Sequence, residues 1–479
     1  MKKILLLFGL TSWFSFMLNA QWTSPGNGTT YTLNDLVEVG CVLYDEANAT
    51  YNITTDITIS ATDRLYISVE NAPSALFFNE DALTLTIKGS MVVEGEEEED
   101  LHYYIGMQVN AQHGRIRFED ASEPSRISRC DFTALSGIQI IGSDVIFEDC
   151  KMLNFNTFTQ SSVVNCLNCS PVFTHCKFFS NEGAAISSPA NGQASPQILN
   201  CLFFDSVTSN ANLPQINLGP GAQDTIRIVN CTIVGLYDRS GGIAIADLMG
   251  TGETKILMKD NIVKNNRYGY NQQGKNLSSV IVGNQFIDNN KETNPMNGGS
   301  GISIYGFDEN NKAVLRNNII TGNLWGITVI NAADVNLGTE DDWGHNQIHD
   351  NGNGGVVYDL YNNTDRDIMA VGNYWGTTDA QEIEENITHQ YDNPDLGLVH
   401  YVPFATNEAV EELESAAFKL WPNPAQGRFT VEGRGELTIT NALGQLVLIK
   451  EIDGMETVEL PRGLYVVRLG ATRRKVVVE

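Results

Sequence analysis

Val314-Leu-Arg-Asn-Asn-Ile-Ile-Thr-Gly-Asn323 is the stretch of sequence that decides the fold. It joins a short aliphatic run to an Asn-Asn pair, a second apolar run and a Gly-Asn pair, without the spacing of a helix. Val280-Ile-Val-Gly-Asn-Gln-Phe-Ile-Asp-Asn-Asn290 repeats this arrangement, and Gly372-Asn-Tyr-Trp-Gly376 repeats part of it. Asn and Gly tolerate left-handed backbone angles, so short β-branched runs between them predict strands joined by sharp corners.

One column of residues repeats through the middle of the chain. Each member is Cys, Asn or Asp, followed two positions later by a large apolar residue, at intervals of 20 to 33 residues. A period of this length predicts a solenoid in which equivalent residues of successive turns stack into ladders. We therefore predict an all-β coil of parallel strands with about ten or more turns, and place the column at an inward corner. The predicted ladder comprises Cys130, Cys150, Cys176, Cys201, Cys231, Asp260, Asn284, Asn317, Asn346 and Asn373.

These segments resemble the right-handed, single-stranded parallel β-helix family, in the broad class that includes pectate lyases and many bacterial surface proteins. The resemblance is specific for the fold and leaves the activity open, because one fold hosts many functions. We assign residues 121–404 to the β-helix repeats and residues 21–120 to an N-terminal cap and the first turns. A solenoid must cover its open end, where unpaired strands would otherwise bind another chain.

The two ends of the chain predict its destination. Lys2-Lys3, the apolar run from Ile4 to Leu10 and Ala20 before Gln21 are typical of a secretory signal peptide over residues 1–20. The C-terminal 62 residues contain nine Lys and Arg against seven Asp and Glu, whereas the whole chain carries a net charge of −28. Alternating strands joined at Pro-Asn-Pro, Leu-Gly-Gln and Pro-Arg-Gly predict a small antiparallel β-sandwich over residues 418–479.

Three short segments of this module look like the C-terminal sorting domain of the type IX secretion system of Bacteroidetes: Pro422-Asn-Pro424, Gly444-Gln445 and Gly463-Leu-Tyr465. The alternative is an ordinary terminal β-sandwich. The resemblance implies export by the type IX machinery, which would contact residues 418–479. It also implies removal of the module within an acidic linker at 405–417, followed by attachment to surface lipopolysaccharide or release. We expect the outer-membrane surface or the extracellular space, with no transmembrane segment in the mature chain.

The acidic composition restricts the partners of the chain. It argues against nucleic-acid binding, which needs a basic surface, and mildly against an acidic polysaccharide unless divalent cations bridge the two. Solubility is the simpler interpretation of the charge. The run Glu96-Glu-Glu-Glu-Asp100 is expected to be a solvated loop, because it lacks the Gly and Asn of a calcium loop. We expect no metal or cofactor, with calcium as a possible ligand if the protein is a lyase.

Eight cysteines in a secreted chain suggest disulfides. Five of them lie in the predicted ladder, where parallel stacking keeps Cβ atoms about 4.8 Å apart, beyond the usual disulfide distance. Buried free thiols are the simpler interpretation. A zinc site or a redox pair at Cys166 and Cys169 remains an alternative.

No complete catalytic set is present in the sequence. Glu340-Asp341-Asp342-Trp-Gly-His345 superficially resembles the paired aspartates and Gly-His of β-helix polygalacturonases. That family places the two elements on different turns and adds a downstream Arg-x-Lys, which is missing here. Asp341, Asp342 and His345 are therefore weak catalytic candidates, and a structural loop is the alternative.

We predict a secreted, surface-attached and non-catalytic protein that binds glycans or host matrix. The alternative is a polysaccharide lyase or glycoside hydrolase that acts on extracellular glycans. Tyr305 and Trp325 are weak candidates for stacking on sugars, since exposed aromatic rings suit carbohydrate faces, although they could equally pack at corners. Ser206 and Thr225 lie in short Asp-Ser/Thr-aliphatic patterns that resemble O-glycosylation sites of Bacteroidetes.

Overall fold

The computed structural model describes residues 21–68, 75–79, 82–95, 103–107, 114–156, 162–250, 252–406, 418–422, 425–441, 446–469 and 472–478. The chain divides into two compact units between residues 408 and 409. The predicted signal peptide, the acidic run at 96–100 and residues 407–417 of the predicted linker lie outside the described residues.

The first unit is a coil in which a complete turn contributes one strand to each of three sheets. Residues alternate along each strand between the interior and the outside, so β-branched residues are buried at every second position. In the strand Ser300–Gly306, for example, Ile302 and Ile304 are fully buried, whereas Ser303 between them is partly exposed. The strands of each sheet pair in parallel from turn to turn. The parallel β-helix predicted from the sequence is therefore confirmed.

Among the described residues, sheet 1 contains fourteen strands. In chain order they are Gln21–Thr23, Asp56–Ile59, Thr84–Ile87, Arg115–Glu119, Gly137–Ile141, Ser162–Leu167, Ala184–Ser187, Pro214–Leu218, Gly241–Asp247, Tyr270–Gly274, Ser300–Gly306, Trp325–Asn331, Leu360–Asn363 and Ile387–Thr388.

Sheet 2 also contains fourteen strands in the described part of the chain, and it follows sheet 1 within each turn. They are Thr30–Tyr31, Arg64–Ser68, Ser90–Glu94, Ser125–Ser128, Val145–Glu148, Val172–Thr174, Gln197–Leu199, Ile226–Val229, Thr254–Lys259, Leu277–Val282, Lys312–Arg316, Asp334–Gly338, Ile368–Ala370 and Val399–His400.

Sheet 3, with thirteen strands in the residues that the structure describes, completes the turn. Its first two strands form an antiparallel hairpin, which together with the helix Leu33–Glu38 lies at the start of the coil. Near the other end are the helix Ala380–Glu385 and a small hairpin of Gly352–Asn353 and Val356–Val357. The strands of sheet 3 are Val42–Asp45, Thr50–Ile53, Ala75–Phe78, Tyr103–Met107, Cys130–Thr133, Lys151–Leu153, Lys177–Phe179, Leu202–Phe204, Thr232–Val234, Ile262–Lys264, Gln285–Ile287, Ile319–Thr321 and Gln347–His349.

A ladder of buried thiols and amides runs along the corner between sheets 2 and 3. Asn318 Nδ2 donates to the carbonyl oxygen of Ile281 in the preceding turn and to Asn346 Oδ1 in the next, both at 2.8 Å. The thiols occupy the same position, since Cys231 Sγ donates to the carbonyl oxygen of Ile198 at 3.4 Å. The members of this first ladder are Cys130, Cys150, Cys176, Cys201, Cys231, Asn261, Asn284, Asn318, Asn346 and Asn373.

The sequence prediction of this ladder was wrong by one residue in two turns. It placed Asp260 and Asn317 in the ladder, whereas the structure places Asn261 and Asn318 there. Asp260 and Asn317 are exposed and have left-handed φ angles of 55° and 57°, which a sharp corner requires.

The apolar spacing misled the prediction, because a pair of apolar residues follows each of these corners. Ile319 lies two positions after Asn317, and Ile320 lies two positions after Asn318, so both registers satisfy the pattern. Only Ile320 is fully buried, and Ile319 lies on the outer side of sheet 3.

A second amide ladder, which was not predicted from the sequence, lies at the corner between sheets 3 and 1. Asn323 Nδ2 donates to Asn351 Oδ1 at 2.8 Å, and Asn351 Nδ2 donates to Asp359 Oδ1 at 2.9 Å. Gln215 extends the ladder at the other end by donating to Asn266 Oδ1 at 3.0 Å. The sequence signal was present in the Asn-rich corners of each repeat. The members of this second ladder are Asn266, Asn289, Asn323, Asn351 and Asp359.

The described residues of the second unit form a five-stranded antiparallel sheet. The first half of the long strand Arg428–Asn441 pairs with Lys419–Trp421, and its second half pairs with Gly463–Leu469. Apolar residues of both halves, including Phe429, Leu437 and Val467, pack into one core. The antiparallel architecture predicted for this module is confirmed. The five strands are Lys419–Trp421, Arg428–Asn441, Leu446–Glu459, Gly463–Leu469 and Thr472–Val478.

Candidate ligand-binding face

The outer side of sheet 1, from the strand Gly137–Ile141 to the strand Leu360–Asn363, is the candidate site and is called the sheet 1 face. The parallel register places one outward residue of each turn in a row along the coil. The row consists of Gln139, Asn165, Ser187, Asn217, Ala244, Asn271, Ser303, Thr328 and Tyr361.

The sheet 1 face is uncharged although the chain carries a net charge of −28. Asp247 is the only charged residue in these strands of residues 137–363, and it is fully buried. Asn165 Nδ2 donates to Ser187 Oγ at 3.0 Å, and Ser187 Oγ donates to Ser162 Oγ at 2.7 Å. The partly exposed polar groups of the row are those of Gln139, Asn165, Asn217, Asn271, Ser303 and Tyr361, whereas Ser187 and Thr328 are buried beneath them.

Three aromatic rings border this face where the chain enters sheet 1. The ring of Trp325 lies 4.5 Å from that of Tyr358 and 5.5 Å from that of Tyr361, measured between centroids. Trp325 Nε1 donates to the carbonyl oxygen of Pro295 at 3.0 Å, which fixes the indole against a neighbouring connection. All three rings are partly exposed. They are called the three-ring cluster.

The second ladder supports the three-ring cluster from inside. Asp359 lies between Tyr358 and the strand that carries Tyr361, and its side chain is fully buried. Its Oδ1 accepts hydrogen bonds from the backbone and side chain of Asn351. Burial raises the pKa of Asp359 to about 7, although the hydrogen bonds from Asn351 act in the opposite direction.

The two aromatic candidates from the sequence lie on this face but not together. In the register of neighbouring strands, Trp325 pairs with Ser300, and Tyr305 pairs with Ile330. Five residues along a strand correspond to about 17 Å, so the two rings lie near opposite ends of their strands. Tyr305 packs against Phe307, with 5.2 Å between ring centroids.

The structure places Asp341, Asp342 and His345 away from the sheet 1 face, in the connection from sheet 2 to sheet 3. Asp342 Oδ2 accepts hydrogen bonds from Arg316 Nη2 at 2.7 Å and Nε at 3.0 Å. These bonds lower the pKa of the Asp342 carboxyl. His345 has a left-handed φ of 49° and directly precedes Asn346 of the first ladder. The arrangement is that of a structural corner.

The remaining candidates concern metals and modification. Among the described residues, no group of three or more His, Cys, Asp or Glu side chains could hold a metal ion. All eight cysteines are free and buried. Ser206 is fully buried, so modification of its hydroxyl is incompatible with the folded chain. Thr225 is partly exposed, and its modification stays a prediction.

Tyr358, Tyr361 and the row of neutral side chains were not predicted from the sequence. Alternation in segments such as Gly301-Ile-Ser-Ile-Tyr305 shows which residues point outward. It does not show which of three sheets a strand joins, and the row is visible only once the turns are aligned.

Comparison with known proteins agrees with this architecture. Residues 419–479 match the family described as "Secretion system C-terminal sorting domain". Residues 226–381 match the family described as "Protein of unknown function (DUF1565)". The chain is a right-handed parallel β-helix protein with a C-terminal type IX sorting domain. That domain directs it to the cell surface or the extracellular space.

Solved structures of one enzyme align with this chain. The periplasmic alginate epimerase AlgG and a single mutant of it each show 12% identity and a TM-score of 0.47 to this chain. Both alignments cover 79% of this chain. They cover 84% of the mutant chain and 83% of the other chain. No curated protein matches the sequence. In the described part of the chain, no helix is long and apolar enough to cross a membrane.

Proposed function

We propose that this secreted protein binds a neutral glycan along the sheet 1 face without turning it over. The observation that carries the proposal is the uncharged row of amides and hydroxyls bordered by the three-ring cluster. Sugar hydroxyls exchange hydrogen bonds with such groups, and sugar rings stack on aromatic faces. Because the row repeats once per turn, it suits an extended ligand with repeating units. A host-matrix glycan meets the same description.

The absence of charge on this face also favours binding over catalysis. Glycoside hydrolysis uses two carboxyl groups about 5–9.5 Å apart. A lyase needs a general base positioned at the proton that it removes. The outward positions of sheet 1 between residues 137 and 363, all in described strands, supply neither an acid pair nor a cationic base.

Glycan-array screening followed by calorimetry on the purified protein tests the proposal. Trp325→Ala and Tyr361→Ala should each weaken binding about five-fold or more, because a lost aromatic contact costs about 1 kcal/mol. Trp343→Ala is the matched control, since Trp343 is 36% exposed but lies at the corner between sheets 2 and 3. Equal losses in all three variants, or binding of acidic glycans alone, would contradict the proposal.

A further inference from the structure

The C-terminal unit has one long sheet edge. The strand Leu446–Glu459 pairs over nearly its whole length with Arg428–Asn441, and no other strand among the described residues pairs with it. Arg428–Asn441, in contrast, is paired on both sides. An edge strand directs alternate N–H and C=O groups away from its sheet, and these groups are a template for an added strand.

This edge has one of the features that normally block strand addition, because Lys450, Glu451, Asp453 and Glu459 are exposed charged residues, but it is long and contains no Pro. Such features are short length, Pro, bulges and exposed charges. The strand has 14 residues and no Pro, and its register shifts only near its start, opposite Ile439 and Thr440. Val447 and Ile449 are 40% and 55% exposed, so apolar side chains accompany the open main chain.

The edge is also locally acidic within a mildly basic module. Glu451 and Glu459 are exposed, and Glu451 lies directly opposite Glu436 in the register. Like charges in directly opposed positions destabilise a sheet. A basic residue on an added strand would relieve this repulsion. A second copy of the same edge would instead bring further acidic residues to it, which disfavours self-pairing.

We propose that Leu446–Glu459 is the docking edge of the sorting domain, and that a strand with basic residues from the secretion machinery adds to it. Main-chain hydrogen bonds would supply affinity that is independent of the exported passenger, whereas Val447, Ile449 and the acidic residues would supply selectivity. The proposal is independent of the sheet 1 face and of any glycan.

Charge reversal at Glu451 gives the sharpest test in the full-length protein, expressed in a bacterium that has the type IX system. Glu451→Lys should leave the melting temperature of the purified chain unchanged or raise it, because Lys would face Glu436. It should nevertheless lower the amount of protein at the cell surface at least ten-fold, with accumulation in the periplasm. If Glu451 had only a structural role, the amount of protein at the cell surface would follow the melting temperature. Normal secretion of Glu451→Lys would overturn the proposal.

Proline substitution tests the main-chain component. N–H groups of successive residues point to opposite sides of a strand, so one of Ile449→Pro and Lys450→Pro preserves the internal ladder. The variant that keeps the wild-type melting temperature should fail to reach the surface, and its normal secretion would contradict docking at this edge. A full-length dimer that dissociates in the same variant would show that the edge serves self-association instead.

Discussion

Asp359 accepts two hydrogen bonds from Asn351, one from the backbone N–H at 3.1 Å and one from Nδ2 at 2.9 Å. The second ladder thus ends in a carboxyl group, whose other oxygen is buried without a hydrogen-bond partner in the described structure. With a pKa of about 7, this carboxyl is neutral in the folded protein at acidic pH, whereas the unfolded chain ionises it above about pH 4. Its contribution to stability is fully present below about pH 4 and is lost as the pH rises through 7.

Replacing Asp359 by Asn should remove this pH dependence. The amide keeps the acceptor for Asn351 and carries no charge, so the variant should gain stability over wild type as the pH rises from 5 to 8. The gain over this interval should be at most about 3 kcal/mol. Thermal melts at several pH values measure it, with Asp341→Asn on an exposed corner as the control. If the melting temperatures of wild type and Asp359→Asn changed in parallel with pH, burial would not raise the pKa of this carboxyl.

The corrected register of the first ladder gives a matched pair of substitutions. Asn318→Leu removes the oxygen that accepts hydrogen bonds from the backbone N–H and the side-chain amide of Asn284. The variant also lacks the amide that donates to the carbonyl oxygen of Ile281. It should destabilise the coil by about 3 kcal/mol or more, because buried polar groups lose their partners. Asn317→Gly should be nearly neutral, since Gly adopts the same left-handed angle. Denaturant unfolding of the two variants compares them, and similar losses would refute the corrected register.

In the first ladder, an amide should be able to replace a thiol. Cys231→Asn should maintain or raise the melting temperature, because its Oδ1 can accept from the Cys201 backbone N–H, which now donates to sulfur at 3.4 Å. The introduced Nδ2 can donate to the carbonyl oxygen of Ile198, which now accepts a hydrogen bond from the Cys231 thiol. Cys231→Ala should lower stability by about 1 kcal/mol through loss of the hydrogen bond. A Cys231→Asn variant less stable than Cys231→Ala would mean that the corner does not accommodate an amide.

The ends of the chain predict processing. Protein isolated from the cell surface should lack residues 1–20 and the segment from Phe418 onward. Intact-mass analysis of surface material measures both truncations, and protein that accumulates before export should retain the C-terminal module. A retained module on surface protein would contradict cleavage within residues 405–417.

The fold was predictable from the sequence because the solenoid period, the Asn-rich corners and the sorting motifs are local features. The exact ladder was less predictable, because Asp260-Asn261 and Asn317-Asn318 each offer two polar residues followed by two apolar ones. Only the stacking of turns decides which residue of such a pair faces inward.

The candidate face was hardly predictable for a related reason. Trp325 stood out as an aromatic residue, but its neighbours Tyr358 and Tyr361 lie 33 and 36 positions further along the chain. Their proximity depends on the inserted hairpin that precedes Tyr358 and on the register of sheet 1. Asp341 and Asp342 drew attention as an acidic pair, yet their connection lies at the corner opposite sheet 1.

Prolonged incubation of the purified protein with the glycan that it binds most tightly tests the central claim most directly. Mass spectrometry of the glycan and ultraviolet absorbance of the reaction would detect cleavage. Nuclear magnetic resonance would detect epimerised products. We predict an unchanged glycan, and binding that weakens in Trp325→Ala and Tyr361→Ala. Turnover that is lost on replacing one exposed carboxylate would contradict the non-catalytic assignment.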